Sequence, residues 1–440
     1  MNKETPGCRA SCPPAAGADK NVCPTAPLLN SNDEAHMTIK IVPQANSKLV
    51  IAHANFHRLW GGQAEVVLAL SQSLARRGHR LVIITPPGSE LSVRAKDAGI
   101  ETFTGCHFKK GFRPISFMSD LARLRSFLLK NQVRVYHCHG SQDHWIGALS
   151  AGAHTKIIRT RHNIYPVANH VFNRWLFRKR TAQVITIFGA QGRYFTETGL
   201  LKQDQLFTLH SPLPQEFVNP GNPARVIRHE LKLAEEVALV GFAANFHADK
   251  APLDFVAAAV RVSKAFPNVH FCMAGHGPLE SDTRAQVQQA GLADRFHLLG
   301  FRKDILPVMA SFDLLVLSSI AREASSTVLK QAGALGLPVV ATDVGGTCEV
   351  VEHEKTGLIV QPGDVGGLAD AIKSLLSDRK RAHEMGMAGK EKVLHEFTSD
   401  AIAERMEALY FRVLGIGDSL GAGAISGLCA TGGLPTSGTH

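Results

Sequence analysis

The residues best suited to chemistry lie in the segment 318–349. Glu323 follows an apolar run typical of a buried strand, and the hydroxyl residues Ser325–Thr327 then begin a predicted helix. A helix N-terminus carries unpaired N–H groups and a partial positive charge, which suit it to binding phosphate. Because Gly345–Gly346 leaves the next predicted strand at the same sheet edge, we interpret the region as a diphosphate-binding site rather than as a capped helix alone.

Two further glycine turns follow predicted strands. Gly61–Gly62 lies between the first strand and the first helix, where it serves either close approach of a ligand or the sterics of the turn itself. Gly275–Pro278 follows an apolar strand, but Glu280 stands where the third glycine of a dinucleotide-binding loop belongs. The second turn therefore argues against a nicotinamide-dependent dehydrogenase.

Short β-branched runs alternate with helical patterns along most of the chain, and the proline-rich segment 211–223 separates two such series. This alternation predicts an α/β fold of two Rossmann-like doubly wound domains that face each other across a cleft. The predicted parts are a disordered N-terminal tail at 1–47, a first domain at 48–211, a hinge at 212–223, a second domain at 224–414 and a flexible tail at 415–440.

The charge of the chain is unevenly distributed. Residues 48–220 contain 23 Lys or Arg against 9 Asp or Glu, a net charge of +14, whereas residues 221–413 contain 21 against 24, a net charge of −3. A basic first half indicates an anionic partner, with a merely solvated basic surface as the alternative. Nucleic acid is disfavoured because this half lacks zinc-finger spacing and the RNP motif, and its charge is dispersed.

The composition excludes several classes of protein. With 440 residues, of which 45% are apolar and 20% charged, the chain is neither disordered throughout nor a disulfide scaffold. Its longest apolar runs are shorter than a membrane-spanning helix requires. The eight cysteines show no metal-binding spacing and suggest reduced thiols in the cytoplasm. Residues 1–36 are not a convincing signal peptide, and Met37 is a candidate start of translation.

Taken together, these motifs resemble the retaining GT-B glycosyltransferases of glycosyltransferase family 4. The resemblance spans about Leu49 to Leu414 and is strongest in the second half. There it is carried by Gly275-His276-Gly277-Pro278-Leu279-Glu280, Leu299-Gly300-Phe301, the Glu323 segment and the run from Gly336 to Gly346. The first half is similar to the lipopolysaccharide-type branch in Gly61-Gly62, His137-Cys138-His139 with Asp143 and Trp145, and Arg159-Thr160-Arg161-His162.

The resemblance implies transfer of a hexosyl or heptosyl group, with retention, from a nucleotide sugar in the second domain to an acceptor on the first. The expected acceptor is an anionic glycolipid or glycan such as lipopolysaccharide or a related cell-envelope polysaccharide. The implied enzyme is cytoplasmic and peripheral on the inner membrane face, and it needs neither a cofactor nor a metal ion. Arg174, Arg178, Lys179 and Arg180, near Trp175 and Phe177, would contact the membrane unless they form an ordinary basic helix with its aromatic residues packed inward.

Individual roles follow from the family motifs. Glu323 matches the first acid of an E-x7-E pair and would bind donor-sugar hydroxyls, whereas Gln331 replaces the second acid, which holds the ribose. Lys250 matches the phosphate-binding lysine, and Asn245 stands where an arginine is usual. His162 matches the histidine beside the transferred sugar. The remaining implied donor contacts are Gly61, Gly62, Gly275, Gly277, Phe301, Ala324, Ser325, Ser326, Thr327, Gly345 and Gly346, and the implied acceptor contacts are His139, Asp143 and Arg161.

Departures from the family pattern at Asn245, Ala324 and Gln331 leave two alternatives open. One is a non-catalytic homologue that binds nucleotide sugar without turnover. The other is a nucleotide-sugar epimerase on the same architecture, although its acidic catalytic residues are not evident in the sequence.

Overall fold

The computed structural model describes residues 48–109 and 113–416. The predicted N-terminal tail, including Met37, and residues 417–440 of the predicted C-terminal tail lie outside this range. Among the described residues, no helix has the length and apolar character needed to cross a membrane.

The first half of the chain forms a seven-stranded parallel sheet with the strand order β3-β2-β1-β4-β5-β6-β7. Its strands are β1 (Val50–Ala54), β2 (Arg80–Ile84), β3 (Glu101–Phe103), β4 (Val135–Cys138), β5 (Lys156–Arg161), β6 (Gln183–Thr186) and β7 (Leu206–Thr208). The helices between them are α1 (Gly62–Arg76), α2 (Glu90–Asp97), α3 (Pro114–Lys130), α4 (Ser141–Ser150), α5 (Val171–Trp175), which continues as a π-helical turn at Leu176–Arg180, and α6 (Gly189–Glu197).

The second half forms a six-stranded parallel sheet with the order β10-β9-β8-β11-β12-β13. Its strands are β8 (Leu239–Ala243), β9 (His270–Ala274), β10 (Phe296–Gly300), β11 (Leu314–Leu317), β12 (Val339–Thr342) and β13 (Leu358–Val360). The accompanying helices are α7 (Val226–Glu230), α8 (Pro252–Ala265), α9 (Glu280–Gln289), α10 (Ile305–Met309), α11 (Thr327–Ala334), α12 (Thr347–Val350), α13 (Val365–Ser377) and α14 (Arg379–Glu396), and α15 (Ser399–Leu414) ends the described chain.

Both sheets are covered by helices, as an α/β fold requires. Strands β4, β6, β11 and β12 are buried along their whole length. Accordingly, β11 is a continuous apolar run and β12 is apolar except for its last residue, Thr342, rather than alternating in pattern. The predicted fold class, two Rossmann-like parallel sheets in tandem, is therefore confirmed. We call the first sheet and the helices packed on it the first lobe, and the second sheet with α7–α14 the second lobe.

The last helix belongs to the first lobe by its packing. The apolar side chains of Ile402, Met406 and Leu409 on α15 join the core beneath the first sheet, and α15 lies along α1. Glu407 pairs with Arg77 and with His79 at 2.5 and 2.6 Å. The sequence analysis placed this helix in the second domain because it follows α14 directly; the structure instead returns it to the first sheet, where its apolar face is buried.

The phenol of Tyr410 is the polar contact between α15 and the first sheet. The hydroxyl of Ser71 on α1 donates its proton to the main-chain carbonyl of Val67. The Ser71 oxygen therefore accepts a hydrogen bond from Nδ1–H of His53 at 3.0 Å. Nε2 of His53 then accepts from the Tyr410 hydroxyl at 3.0 Å, whose oxygen accepts from Nδ1–H of His137 at 2.6 Å. Thr160 donates to Nε2 of His137 at 2.7 Å. Burial lowers the pKa of His53 to about 4 and that of His137 well below its ordinary value, so both rings are neutral near pH 7, as this chain requires.

Replacing Tyr410 with phenylalanine should destabilise the protein, because the two buried histidine rings lose their common partner. We expect Tyr410→Phe to lower the free energy of unfolding in urea by about 1–3 kcal/mol, the usual cost of leaving a buried polar group unpaired. Tyr165→Phe is the matched control, since the Tyr165 side chain is exposed. Equal stability of the two variants would contradict the proposed chain of hydrogen bonds.

Candidate active site

A cavity of about 360 Å³ opens at the carboxyl ends of the second-lobe strands. Eight of the predicted donor contacts line it: Asn245, Lys250, Gly275, Phe301, Glu323, Ser326, Thr327 and Gln331. Its residues come from the loops after several strands, because the carboxyl ends of parallel strands meet at one edge of the sheet. The cavity therefore assembles residues that are up to 88 positions apart in the sequence, from Ala243 to Gln331.

A short ion pair between Lys250 and Glu323 lies in this cavity. Glu323 also accepts a hydrogen bond at 2.7 Å from the hydroxyl of Ser319, which follows β11. Lys250 ends a single turn at Ala248–Lys250, and Ala251 then takes a left-handed conformation that begins α8. The carboxylate and the ammonium thus neutralise each other within the cavity.

The Gly345–Gly346 turn supports Glu323 from behind rather than lining the cavity. The N–H of Gly346 donates to the carbonyl oxygen of Glu323 at 3.1 Å. A Cβ atom at Gly345, where φ is +60°, would overlap that same carbonyl oxygen, and one at Gly346 would overlap the carbonyl of Ala324. The two glycines are needed so that this loop can approach the Glu323 backbone closely, and their predicted direct contact with a donor does not fit their position.

The hydroxyl of Ser325 is turned away from the cavity, unlike those of Ser326 and Thr327. Its Oγ lies 2.9 Å from Nζ of Lys330 and 3.2 Å from Nδ1 of His210. Ser325 therefore contacts the junction of the two lobes, and its predicted role as a donor contact is not compatible with this orientation. Gly277 likewise lies outside the cavity, and Gly61 and Gly62 lie exposed at the N-terminus of α1 in the first lobe.

Lys330 and Arg302 are polar residues of this region that the sequence analysis missed. Arg302 lines the cavity and makes two hydrogen bonds, of 3.1 and 2.7 Å, to the carboxylate of Glu230. Lys330 is completely buried next to Gln331. The available signal was a lysine in the segment Val328–Ala334, whose other residues are apolar except for Gln331, because a lysine is rarely buried without a specific partner.

His162 borders a separate, water-sized cavity of about 10 Å³ together with His139 and His210. Its Nε2 lies 2.8 Å from Nδ1 of His139. Burial, together with the positive charges of Arg159 and Arg161, lowers the pKa of His162 to about 3. His162 and Glu323, the two predicted catalytic residues, therefore do not share one cavity in this structure.

The three predicted acceptor contacts are buried and already bonded. Asp143 is fully buried and accepts hydrogen bonds of 3.0 and 2.9 Å from the N–H groups of His139 and Gly140, so it caps α4. His139 is 1% exposed, and Arg161 donates to Asn163 and to the carbonyl of Tyr165. Direct contact of these side chains with an acceptor does not fit this burial; they shape the first-lobe edge instead.

Three buried histidines, His53, His137 and His139, bring a ring nitrogen each to within 4.8 Å of one another, which is the composition of a metal site. The hydrogen-bond chain through Tyr410 already uses the nitrogens of His53 and His137. Nε2 of His139 has no hydrogen-bond partner among the described residues. Apart from Nε2 of His139, the hydrogen-bonding nitrogens of His53 and His137 in this cluster are thus already paired. That the protein needs no metal ion stays a prediction.

Comparison with known proteins agrees with this architecture. Residues 60–204 match Glycosyltransferase Family 4, and residues 224–392 match Glycosyl transferases group 1. A curated relative, N-acetyl-alpha-D-glucosaminyl L-malate synthase of Bacillus anthracis, is 26% identical over 365 residues, which are 80% of this chain and 94% of the relative.

Two crystal structures share the fold. A glycosyltransferase from Rickettsia africae superposes with a TM-score of 0.74 at 17% identity over 84% of this chain and 99% of the other. HepE of Anabaena in complex with UDP superposes with a TM-score of 0.65 at 18% identity over 82% and 99%. The paired parallel sheets and the two consecutive family matches identify the chain as a glycosyltransferase of the GT-B fold, with a family 4-type domain followed by a group 1 domain.

Proposed function

We propose that this chain transfers a hexosyl or heptosyl group from a nucleotide sugar to an anionic glycolipid or glycan acceptor, with retention of configuration. The observation that carries the proposal is the second-lobe cavity, in which Lys250, Glu323, Gln331 and the N-terminus of α11 converge. Its size lies within the range of about 300–1,000 Å³ that is usual for small-molecule sites. That HepE, which has the same fold, was crystallised with UDP supports a nucleotide donor.

The residues of the cavity suit the two charges that develop during transfer. As the bond to the sugar breaks, negative charge grows on the diphosphate and positive charge grows on the anomeric carbon. Lys250 and the free N–H groups of α11 would stabilise the first, and Glu323 would bind sugar hydroxyls. Retention is consistent with attack on the same face, with a phosphate oxygen of the leaving group taking the acceptor proton, so we assign no protein nucleophile. We expect neither a cofactor nor a metal ion.

The acceptor proposal relies on the first lobe. The surplus of positive charge in residues 48–220 suits an anionic glycolipid such as a lipopolysaccharide or a related envelope polysaccharide. On α5, Val171 and Phe172 are 69% and 67% exposed, and Arg174 and Trp175 are exposed beside them. Only Leu176 and Phe177 pack inward. We define Val171–Lys179 as the aromatic-basic segment and propose that it contacts the cytoplasmic face of the plasma membrane.

Removing either charged side chain of the Lys250–Glu323 pair in the second-lobe cavity should strongly reduce sugar transfer. We expect Glu323→Ala and Lys250→Ala each to reduce sugar transfer about 100-fold or more, comparable to the loss of one stabilising group in other enzymes. Transfer is measured with UDP-, GDP- and ADP-sugars and bacterial lipid extracts. Lys380→Ala and Glu384→Ala are controls, because these residues form an exposed pair on α14.

Each alternative function has its own result in this assay. Full activity of both cleft variants would overturn the site assignment. Nucleotide binding without sugar release by the wild type, whatever the acceptor, would indicate a non-catalytic homologue. Conversion of the donor sugar without an acceptor would indicate an epimerase.

Restoring the missing acid should tighten donor binding. Gln331→Glu would give the ribose hydroxyls a charged acceptor, which adds about 1–2 kcal/mol to such a hydrogen bond. We expect a dissociation constant for the preferred nucleotide that is about 5- to 30-fold lower. Gln288→Glu on the exposed part of α9 is the control. Unchanged or weaker binding by Gln331→Glu would contradict the ribose assignment.

Membrane binding should depend on the aromatic-basic segment. We expect the double variant Val171→Ala/Phe172→Ala to lose most of its cosedimentation with vesicles that contain phosphatidylglycerol, and added salt to weaken binding of the wild type. Met387→Ala, which removes an exposed apolar side chain from the second lobe, is the control. Equal binding of the double variant and the wild type would contradict this role of the segment.

A further inference from the structure

Lys330 on α11 carries a buried amine at the junction of the two lobes. Its side chain is completely inaccessible to solvent. Nζ lies 2.6 Å from the carbonyl oxygen of Ser211, 3.2 Å from the hydroxyl of Ser211 and 2.9 Å from that of Ser325, and 5.6 Å from the ring centre of Phe397. Lysine side chains on a helix point towards its N-terminus, so Nζ reaches the level of the first turn of α11.

In the part of the chain that the structure describes, no carboxylate forms an ion pair with this amine. The two cations that line the neighbouring cavity, Lys250 and Arg302, are each paired with a glutamate. Burying an unpaired charge is costly, and burial accordingly lowers the pKa of Lys330 to about 7.

The groups around the Lys330 amine can hydrogen-bond with it in both its protonated and its uncharged form. An ammonium group donates to the Ser211 carbonyl and to both hydroxyls. An uncharged amine donates two hydrogen bonds and accepts one from the hydroxyl of Ser211. Because the hydroxyls can reverse their direction, the site does not force the amine to keep or to lose its proton.

His210 and Glu349 connect this cluster to other elements. Nδ1 of His210, which follows β7, lies 3.2 Å from Oγ of Ser325, and its Nε2 lies 3.2 Å from Glu349 on the segment after β12. Glu349 also accepts from the N–H of Gly189 at the N-terminus of α6, at 2.8 Å. The first turn of α11 is thus connected through Ser325 to both lobes.

We propose that Lys330 is a positioning residue through which donor binding is coupled to proton uptake: its amine holds the first turn of α11 against Ser211, and a diphosphate bound at that turn supplies the negative charge that keeps the amine protonated. This inference rests on the proposed donor site. It also accounts for Asn245, because a second positive charge near the diphosphate then comes from α11 instead of from residue 245.

The coupling can be measured with UDP as the probe, with GDP and ADP in parallel, by calorimetry in buffers of different ionisation enthalpy. We expect the wild type to take up close to one proton per bound nucleotide at pH 8, and its affinity to fall by up to about tenfold per pH unit above pH 7. The sign follows because the free amine is mostly uncharged above pH 7, whereas the bound state requires the charge. The terminal phosphate, with a pKa of about 6, does not titrate in this range.

Two substitutions separate this coupling from a purely structural role. Lys330→Met should bind without proton uptake and with an affinity that does not change between pH 7 and 8.5. Lys330→Arg, which stays charged, should also be independent of pH but bind about as tightly as the wild type at pH 7. Lys264→Met, at an exposed position on α8, should behave like the wild type.

The possible outcomes distinguish a failure of the role of Lys330 from a failure of the proposed donor site. Nucleotide binding by the wild type without proton uptake, or unchanged uptake in Lys330→Met or in Lys330→Arg, would overturn the role of Lys330 while leaving the donor site intact. Failure of UDP, GDP and ADP to bind the wild type at pH 6.5 would overturn the proposed function and, with it, this inference.

Discussion

The structure depends on the way in which the chain passes twice between the lobes at one place. It leaves the first lobe after β7 and returns to it after α14, and the N–H of Leu213 on the outward passage donates to the carbonyl of Phe397 on the return at 2.7 Å. Both residues are buried in the second-lobe core. The return is held by α15, whose apolar face is covered only when it lies against α1 and the first sheet.

This junction and the candidate active site are neighbours. Helix α11 has Ser326 and Thr327 in the cavity at its start, while Ser325 and Lys330 face the passage near Ser211 and Phe397. A ligand that interacts with the first turn of α11 therefore acts on an element that is bonded to the connection between the lobes. Such an arrangement offers a physical route by which occupation of one lobe influences the other.

The cationic side chains that line the cavity are each paired with a glutamate. The pairing of Lys250 with Glu323 and of Arg302 with Glu230 leaves few unpaired charges at the cavity. A nucleotide sugar brings both an anionic diphosphate and neutral hydroxyls, and it can therefore engage the cation and the carboxylate of the Lys250–Glu323 pair separately. The proposed acceptor side differs in kind, because its attraction comes from a dispersed surplus of basic residues on the first lobe rather than from a few paired groups.

Sequence alone determined the two-lobed α/β architecture, because it follows from local patterns of apolar strands, helix starts and the turns after strand ends. The same patterns indicated Glu323, Ser326 and Thr327 as site residues, whereas Asn245, Lys250, Phe301 and Gln331 were assigned to the cavity through the family resemblance. Strands β3, β7 and β13 span three residues each, which is too few to carry a hydrophobic periodicity of their own. Only the tertiary structure placed α15 on the first lobe, turned Ser325 towards His210, and buried His139 and Asp143. Those outcomes depend on contacts between residues up to hundreds of positions apart, and no local pattern records which face of a helix or loop such a contact will cover.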